Sequence, residues 1–255
     1  MTGRVAGKTA IVTGAASAAG IGFATARALA REGANVVLTD LHAEALSDRA
    51  QELRDQGARV LGLRHDVTSE TDWRRVLDEV EATFGAGDVL VNNAGIAVLS
   101  PLEALSAADW QRQLDVSLTS VYLGCQAFVE RLRRTQRAGS IVNVSSIAAL
   151  VGMRRCSAYA AAKGGVRLFS KSLALETAAE GIRVNSVHPG VISTDMQRGA
   201  RSDNVQGSER IYATIPMQRM GRAAEVAAMI LFLAAEESSY ITGAEFAVDG
   251  GFTAQ

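Results

Sequence analysis

Ser146, Tyr159 and Lys163 are the residue types that a hydride-transfer reaction needs to manage one proton. Tyr159 and Lys163 stand at i and i+4 in the Ala-rich run SAYAAAKGG, which reads as helix, so one face carries a phenol beside an ammonium. A free phenol titrates near pH ~10, too high for an efficient base at neutral pH. A cation in a dry site favours phenolate, so the pair is expected to lower that value. Tyr159 can then take the hydroxyl proton of an alcohol while hydride leaves the carbon, or return it when a carbonyl is reduced. Ser146, thirteen residues before Tyr159 at the end of the strand-like run SIVNVSS, would hold the substrate oxygen. Y-x3-K also occurs in helices whose tyrosine merely packs, so the reading leans on the rest of the chain.

Those groups must be positioned by a scaffold, and the scaffold is written in Val, Ile and Leu. TAIVTG, NVVLTD, RVLGLRHDV, DVLVNNAG, SIVNVSS, IRVNSVHPG and EFAVDGG are continuous apolar runs of the kind covered on both faces in a parallel sheet. Between them lie helix-length crossovers, beginning with FATARALAREGA, EALSDRAQELRDQGA and TDWRRVLDEVEATFG, each closing near a glycine. No linker or repeat divides residues 1–255. Residues 194–220, with Gly199, Gly207 and Pro216, break the rhythm and are expected to cover substrate as a loop.

The first strand runs into Gly14-Ala15-Ala16-Ser17-Ala18-Ala19-Gly20-Ile21-Gly22 and then a helix. Glycines there let a phosphate approach backbone N–H groups at a helix N-terminus. Asp40 ends the second strand, eighteen residues after Gly22, where a carboxylate can accept the hydroxyls of an adenosine ribose. A ribose phosphate would meet that negative charge, and Leu41 and His42 offer no arginine partner, so NAD is favoured over NADP. The alternative is that Asp40 only caps a turn. Asp66 and Val67 after the third strand are expected near the adenine. Asn92, Asn93, Ala94 and Gly95 end the fourth strand beside the cofactor, although paired asparagines also make simple turns. Ligands of open α/β sheets collect outside the carboxyl ends of the strands, which is where all these residues fall.

Composition excludes several classes. The chain has 255 residues, is 48% hydrophobic and has three prolines, enough for a sizeable α/β core. A net charge of -1 without a Lys/Arg block argues against nucleic acid. Cys125 and Cys156 have no metal or redox spacing and are expected to be thiols in a reducing, cytoplasmic setting. The start MTGRVAGKTAIVTGA lacks the pattern of a signal peptide, and no run of about 18 apolar residues suits a membrane span.

In its glycine turn, acidic second-strand end, NNAG, Ser146, Tyr159, Lys163 and Pro189-Gly190, the chain resembles the classical short-chain dehydrogenases/reductases over nearly its whole length. The resemblance implies a single-domain Rossmann-like α/β fold, with a seven-stranded parallel sheet between helix layers. It makes Tyr159 the acid/base, Lys163 its support and a ligand of the nicotinamide ribose, and Ser146 the group that orients substrate oxygen. Pro189, Gly190 and Ile192 would border the nicotinamide, and Thr194 would bond its carboxamide or a phosphate. Two departures stand out. TGAASAAGIG is two residues longer than the usual TGxxxGxG, so the loop should bulge near the phosphates, with Ser17 as a donor and Gly20 less crucial than its match suggests. Ser117, in LDVSLTSVY, replaces an asparagine that helps hold a proton-relay water, and serine has a shorter reach.

MTGRVAGK, RHDVTSETDW, NSVHPG and VDGGFTAQ are similar to bacterial secondary-alcohol, hydroxysteroid and cyclic-alcohol dehydrogenases. Reversible NAD-dependent oxidation of an apolar, cyclic or bulky secondary alcohol is therefore the expected activity. Leu99, Met153, Met196 and Tyr212 would form an apolar pocket if they converge. Reduction of a sugar, quinone or 3-oxoacyl substrate, or a noncatalytic NAD-binding scaffold, are the other readings. The family implies a homotetramer through helices around 100–134 and 158–179. Gln255 resembles the terminal residue that helps hold a structural magnesium in some relatives, though hard cations need several oxygen ligands.

Overall fold

All seven apolar runs become strands: β1 (Thr9–Thr13), β2 (Asn35–Asp40), β3 (Val60–Arg64), β4 (Val89–Asn92), β5 (Gly139–Val144), β6 (Ile182–Pro189) and β9 (Glu245–Val248). The computed structural model describes residues 3–195 and 213–255. In it the strands form one sheet in the order β3-β2-β1-β4-β5-β6-β9, with parallel neighbours throughout. Two short strands between β6 and β9, β7 (Ile192–Ser193) and β8 (Gly221–Arg222), pair separately at the base of the 194–220 segment. Two residues are too few to show as a pattern in sequence.

Successive side chains of a strand point to opposite faces, and here both faces are apolar. Val12, Val36, Leu38, Val91 and Val142 pack under α1 (Ile21–Arg31), α2 (Ala43–Asp55) and α7 (Ala223–Ala234). Their neighbours Ile11, Val37, Leu90 and Ile141 pack under α3 (Glu70–Phe84), α5 (Ser120–Thr135) and α6 (Ser157–Thr177). Each such side chain is worth about 1.5–3 kcal/mol when fully buried. Capping fixes where helices begin: Ser69 accepts from Asp72 N–H before α3, and Ser106 accepts from Asp109 N–H before α4 (Ala107–Leu114).

Two features aim this scaffold at a site. The order of strands turns back between β1 and β4, which opens a crevice at their carboxyl ends. A π-helical turn, Asp115–Thr119, joins α4 to α5. Gly165 of α6 faces that turn, and a Cβ there would stand 2.8 Å from Leu118. Glycine thus lets α6, which carries Tyr159 and Lys163, approach the turn that carries Ser117.

His65, after β3, is buried, with Nδ1 on Thr39 Oγ1 at 3.0 Å and its ring edge-on to Trp73. It packs and does not line a pocket. Burial pushes its pKa from 6.5 down to about 4, against the pull of Asp72. Between these values the unfolded chain binds the proton and the folded chain does not, so stability is full above pH ~6.5 and falls as the pH drops toward ~4, by about 3 kcal/mol. Urea midpoints should therefore fall between pH 7 and 4.5, and His65→Gln should flatten the fall; equal slopes for the two proteins would contradict this assignment.

Candidate active site

The catalytic edge is assembled at the end of β5. Ser146 follows it in extended conformation (φ -164°), and its Oγ accepts from Ala148 N–H at 3.2 Å at the head of a short 3-10 turn. Lys163 is 4% exposed; its Nζ donates to the Val144 carbonyl at 2.8 Å, and its own carbonyl accepts from Ser145 Oγ at 2.9 Å. These two bonds fasten the first half of α6 to the strand end and bring Tyr159 to Ser146, whose hydroxyl is a hydrogen-bond partner of the phenol.

The expected depression of Tyr159 is not what this environment produces. Burial raises the phenol above its ordinary value, the Ser146 hydrogen bond pulls the other way, and Cys156 adds a further rise. Burial likewise lowers Lys163 to about 8. Desolvation thus dominates both groups in the chain by itself, and Tyr159 is a proton donor at neutral pH.

Behind Ser146 stands His188 of β6, fully buried. Its Nδ1 lies 3.1 Å from the Ser146 carbonyl, which can only accept, so Nδ1 carries the proton and Nε2, 2.9 Å away, accepts from Ser186 Oγ. Burial lowers its pKa, which favours this neutral form. His188 thus braces the serine's backbone and lines no pocket. Neither it nor Ser145 carries a spacing signal in sequence.

At the nucleotide end, Gly14 adopts φ +66°, and a Cβ at Gly22 would lie 2.3 Å from the Gly14 carbonyl oxygen. This bare cradle at the N-terminus of α1 fits a pyrophosphate, whose charge suits unpaired helix N–H groups. Gly20, the residue before α1, is less crowded: its Cβ would meet Ser17 atoms at 3.1 Å. The longer loop closes on itself through Gly20 N–H to the Ser17 carbonyl, and Ile21 begins the helix. Ser17 Oγ, expected to serve a phosphate, instead donates to Asp195 at 2.6 Å.

Asp40 holds the turn from the side: one carboxylate oxygen accepts from Ala16 N–H at 3.0 Å and the other from His42 N–H at 3.1 Å. It both braces the loop and keeps lone pairs at the crevice. Leu41 beside it is half exposed. The parallel register sets Arg64 of β3 opposite Asp40, a neighbour that sequence order hides, although its guanidinium turns to Asp72 at 3.9 Å. Asp66 closes a turn by accepting from Thr68 N–H and Oγ1, and Val67 is buried with its carbonyl on the Trp73 indole.

Asn93 stitches β4 to β1. Its Nδ2 donates to the Thr13 and Gly14 carbonyls at 2.9 and 3.0 Å, and Thr13 Oγ1 accepts from the Asn93 and Ala94 amides. Asn92 points inward to Asn143 at 2.9 Å. A Cβ on Gly95 would lie 3.4 Å from both Lys163 Nζ and Ser117 Oγ, so this glycine separates the two side chains. Pro189 ends β6, Gly190 donates to the Val248 carbonyl, Ile192 is buried, and Thr194 is nearly so.

Ser117 is buried and turned toward Ile96. Leu99 and Met153 lie exposed on loops joined by Ser100 N–H to the Arg155 carbonyl at 2.9 Å, while Met196 and Tyr212 fall outside the described residues. Gln255 donates its amide to the Thr214 carbonyl at 3.1 Å. Among the described residues no group of three or more His, Cys, Asp or Glu could hold a metal.

A family model described as enoyl-(acyl carrier protein) reductase matches residues 14–253, a span that runs from the glycine turn through Ser146, Tyr159 and Lys163 to the end of the last strand. The chain belongs to the short-chain dehydrogenase/reductase family. It is 42% identical over 252 residues to a cyclopentanol dehydrogenase of Comamonas sp. (strain NCIMB 9872), covering 99% of each chain. It is 40% identical over 260 residues to an NADP-dependent (R)-specific alcohol dehydrogenase of Lentilactobacillus kefiri, covering 100% of each. The structure of a short-chain type dehydrogenase/reductase from Mycobacterium marinum superposes with a TM-score of 0.92 at 33% identity, over 98% of this chain and 97% of that one. Family members bind a nicotinamide dinucleotide and oxidise or reduce small molecules, and this chain is an oxidoreductase of that kind.

The cradle makes a direct prediction. Gly22→Ala forces a Cβ into the Gly14 backbone and should weaken dinucleotide binding on the order of tenfold or more, whereas Gly20→Ala displaces only the adjustable Ser17 turn and should cost a fraction of that. Titration calorimetry of the two variants checks it; equal losses would contradict the geometry.

Proposed function

We propose that this protein catalyses the reversible NAD-dependent oxidation of a secondary alcohol to a ketone, with a ring or another bulky apolar group on the carbinol carbon. The observation that carries the proposal is the convergence of Ser146, Tyr159 and Lys163 on the end of β5, on the edge of the sheet that also presents the glycine cradle and Asp40. Bound NAD supplies the acceptor for the hydride. In this reading the carbinol oxygen sits between Ser146 and Tyr159; in oxidation its proton passes to the Tyr159 phenolate as the hydride leaves the carbon with its electron pair, and in reduction the phenol returns that proton. As carbonyl character develops, the two hydroxyl groups and the nearby Lys163 charge stabilise negative charge on oxygen. Lys163 would also hold the nicotinamide ribose.

Gly14, Gly20, Ile21 and Gly22 would carry the pyrophosphate, joined by Ser17 if its hydroxyl exchanges Asp195 for a phosphate oxygen, and Asp40 with Leu41 would carry the adenosine ribose. Asp66 and Val67 would border the adenine. Asn93, Ala94, Gly95, Pro189, Gly190, Ile192 and Thr194 would line the nicotinamide half. NAD is preferred to NADP because a ribose phosphate would face the Asp40 carboxylate; the NADP-dependent relative makes this the first point to test, and Arg64 the residue to watch. The ring-alcohol substrate class is supported by the cyclopentanol dehydrogenase relative and by the apolar Leu99 and Met153, exposed on neighbouring loops. Residues 194–220, of which 196–212 lie outside the described residues, would cover the substrate. A homotetramer is supported by apolar side chains exposed on α5 and α6, Tyr122, Leu168 and Leu175. Two buried free thiols suit a cytoplasmic setting. A magnesium at Gln255 would require oxygen ligands from further groups, since the side chain offers a single carbonyl oxygen, its amide nitrogen donating to Thr214.

Initial rates with NAD and NADP against cyclic, acyclic and steroid secondary alcohols, sugar alcohols and the matching ketones test this reading. NAD-selective turnover of ring alcohols is expected; turnover confined to 3-oxoacyl, quinone or sugar substrates would replace it. Tyr159→Phe should lower kcat on the order of a thousandfold with little change in NAD affinity. Because burial keeps Tyr159 protonated at neutral pH, alcohol oxidation, which needs the phenolate, should accelerate as pH rises above neutral. Ketone reduction, which needs the phenol, should hold level and then fall in alkali; parallel profiles for the two directions would rule out Tyr159 as the shared group.

A further inference from the structure

Gln113 lies on α4 four residues before Ser117, and its side chain is fully buried. An amide buried without partners costs several kcal/mol, so where its hydrogen bonds go is a question about what it holds. Oε1 accepts from Val98 N–H at 2.7 Å. Nε2 donates to the Ile96 carbonyl at 3.0 Å and to Ser117 Oγ at 2.8 Å. Ser117 Oγ also accepts from Ile96 N–H at 3.2 Å and faces the Ile96 carbonyl at 3.3 Å, where its own proton can go. Every hydrogen-bonding position of the serine hydroxyl is thereby used within the protein, and both amide hydrogens of Gln113 are engaged.

This closed network grips the backbone of residues 96–98. Gly95, immediately before it, lies against both Ser117 and the Lys163 ammonium. An ammonium has three donors, of which the Val144 carbonyl takes one. The segment that Gln113 grips is therefore the wall on the other side of that buried cation.

We propose that Gln113 is a positioning residue of the active site: acting through Ser117 and Ile96, it holds the Gly95–Val98 segment against Lys163, and the Gln113–Ser117 pair does the work of one longer amide side chain at position 117. The serine meets the Ile96 amide at 3.2 Å and its carbonyl at 3.3 Å, and the glutamine, from one turn away, adds a carboxamide that donates to the same carbonyl at 3.0 Å and accepts from Val98 N–H. A hydroxyl saturated in this way serves placement of the wall and is not itself a free member of a proton chain. The proposal rests on the dehydrogenase reading for its effect on turnover, but not for its effect on Lys163.

The test replaces the pair in two ways. Gln113→Met keeps the length and removes all three bonds. Gln113→Val with Ser117→Asn conserves the number of side-chain heavy atoms across the pair and returns an amide to position 117. Gln113→Met should lower kcat on the order of tenfold while the NAD dissociation constant changes little, and the double variant should recover most of that loss. Recovery by the double variant separates positioning from general destabilisation. The chain contains three lysines, Lys8, Lys163 and Lys171, so ε-carbon NMR of labelled lysine follows the Lys163 titration without any turnover. The variants leave unaltered Tyr159, one turn earlier on α6, the buried His188 on β6, whose titration feels the Lys163 charge, and the Arg167–Glu245 pair that also acts on His188. Loosening the wall admits water, so the Lys163 midpoint should move up from about 8 in Gln113→Met and return in the double variant.

An unchanged kcat and an unmoved Lys163 midpoint in a folded Gln113→Met protein would overturn the proposal. Loss of activity in step with melting temperature, with no recovery in the double variant, would equally reduce Gln113 to a structural residue. Should Gln113→Met fail to fold, the double variant decides alone: wild-type kcat and Lys163 midpoint are expected, and a displaced midpoint in a stable protein overturns the claim. A protein that shows the Lys163 shift on substitution but whose wild type turns over no alcohol or ketone would defeat the dehydrogenase reading and leave the positioning role standing.

Discussion

Burying one ammonium at the end of β5 is the constraint on which the catalytic edge depends. Lys163 loses nearly all contact with water, and desolvating a cation is tolerable only where acceptors are fixed in advance. The Val144 carbonyl provides one, and the reciprocal bond from Ser145 to the Lys163 carbonyl sets the rotation of α6 against the strand. Once that rotation is set, Tyr159, one turn earlier, is brought to Ser146. The same burial lowers the affinity of Lys163 for its proton and raises that of Tyr159, so the pair meets its cofactor and substrate with the tyrosine as donor.

The nucleotide crevice is built by an analogous economy of polar contacts. Thr13 and Asn93 tie the carboxyl ends of β1 and β4 together at the point where strand order reverses, and Asp40 holds the Ala16 amide from the neighbouring strand. The glycine turn is therefore pinned from two sides while Gly14 and Gly22, where its backbone folds closest, stay bare of side chains. Residues that look in sequence like ligands of the cofactor are, in the folded chain, also the parts that shape its seat. A single carboxylate can do both because its two oxygens offer more lone pairs than the two backbone amides occupy.

Polar groups elsewhere in the interior follow the same rule. Asn92, Asn143 and Ser170 form a buried run of hydrogen bonds between β4, β5 and α6, and Gln113 with Ser117 forms another beneath residues 96–98. Such networks stabilise one arrangement of strand ends because half-satisfied alternatives cost more than an apolar contact would. They cross between elements distant in the chain, which is why Gln113, His188 and Ser145 carry no signal in a reading of local spacing.

From sequence alone the seven strands, their parallel pairing, the first three helices and the grouping of Ser146, Tyr159 and Lys163 were legible, because period, glycine position and i,i+4 spacing are local properties that burial on two faces enforces. The family followed from motifs that span most of the chain. Tertiary structure alone decided the register that sets Arg64 opposite Asp40, the engagement of Ser17 by Asp195, the short β7–β8 pair, and the support of Ser117 by Gln113. It also reversed the expected direction of the Tyr159 shift, since i,i+4 spacing announces a neighbouring cation but not how much water folding removes from both groups. Spacing along one element is written in the chain; desolvation and the partners of a buried polar atom depend on which distant elements close over it.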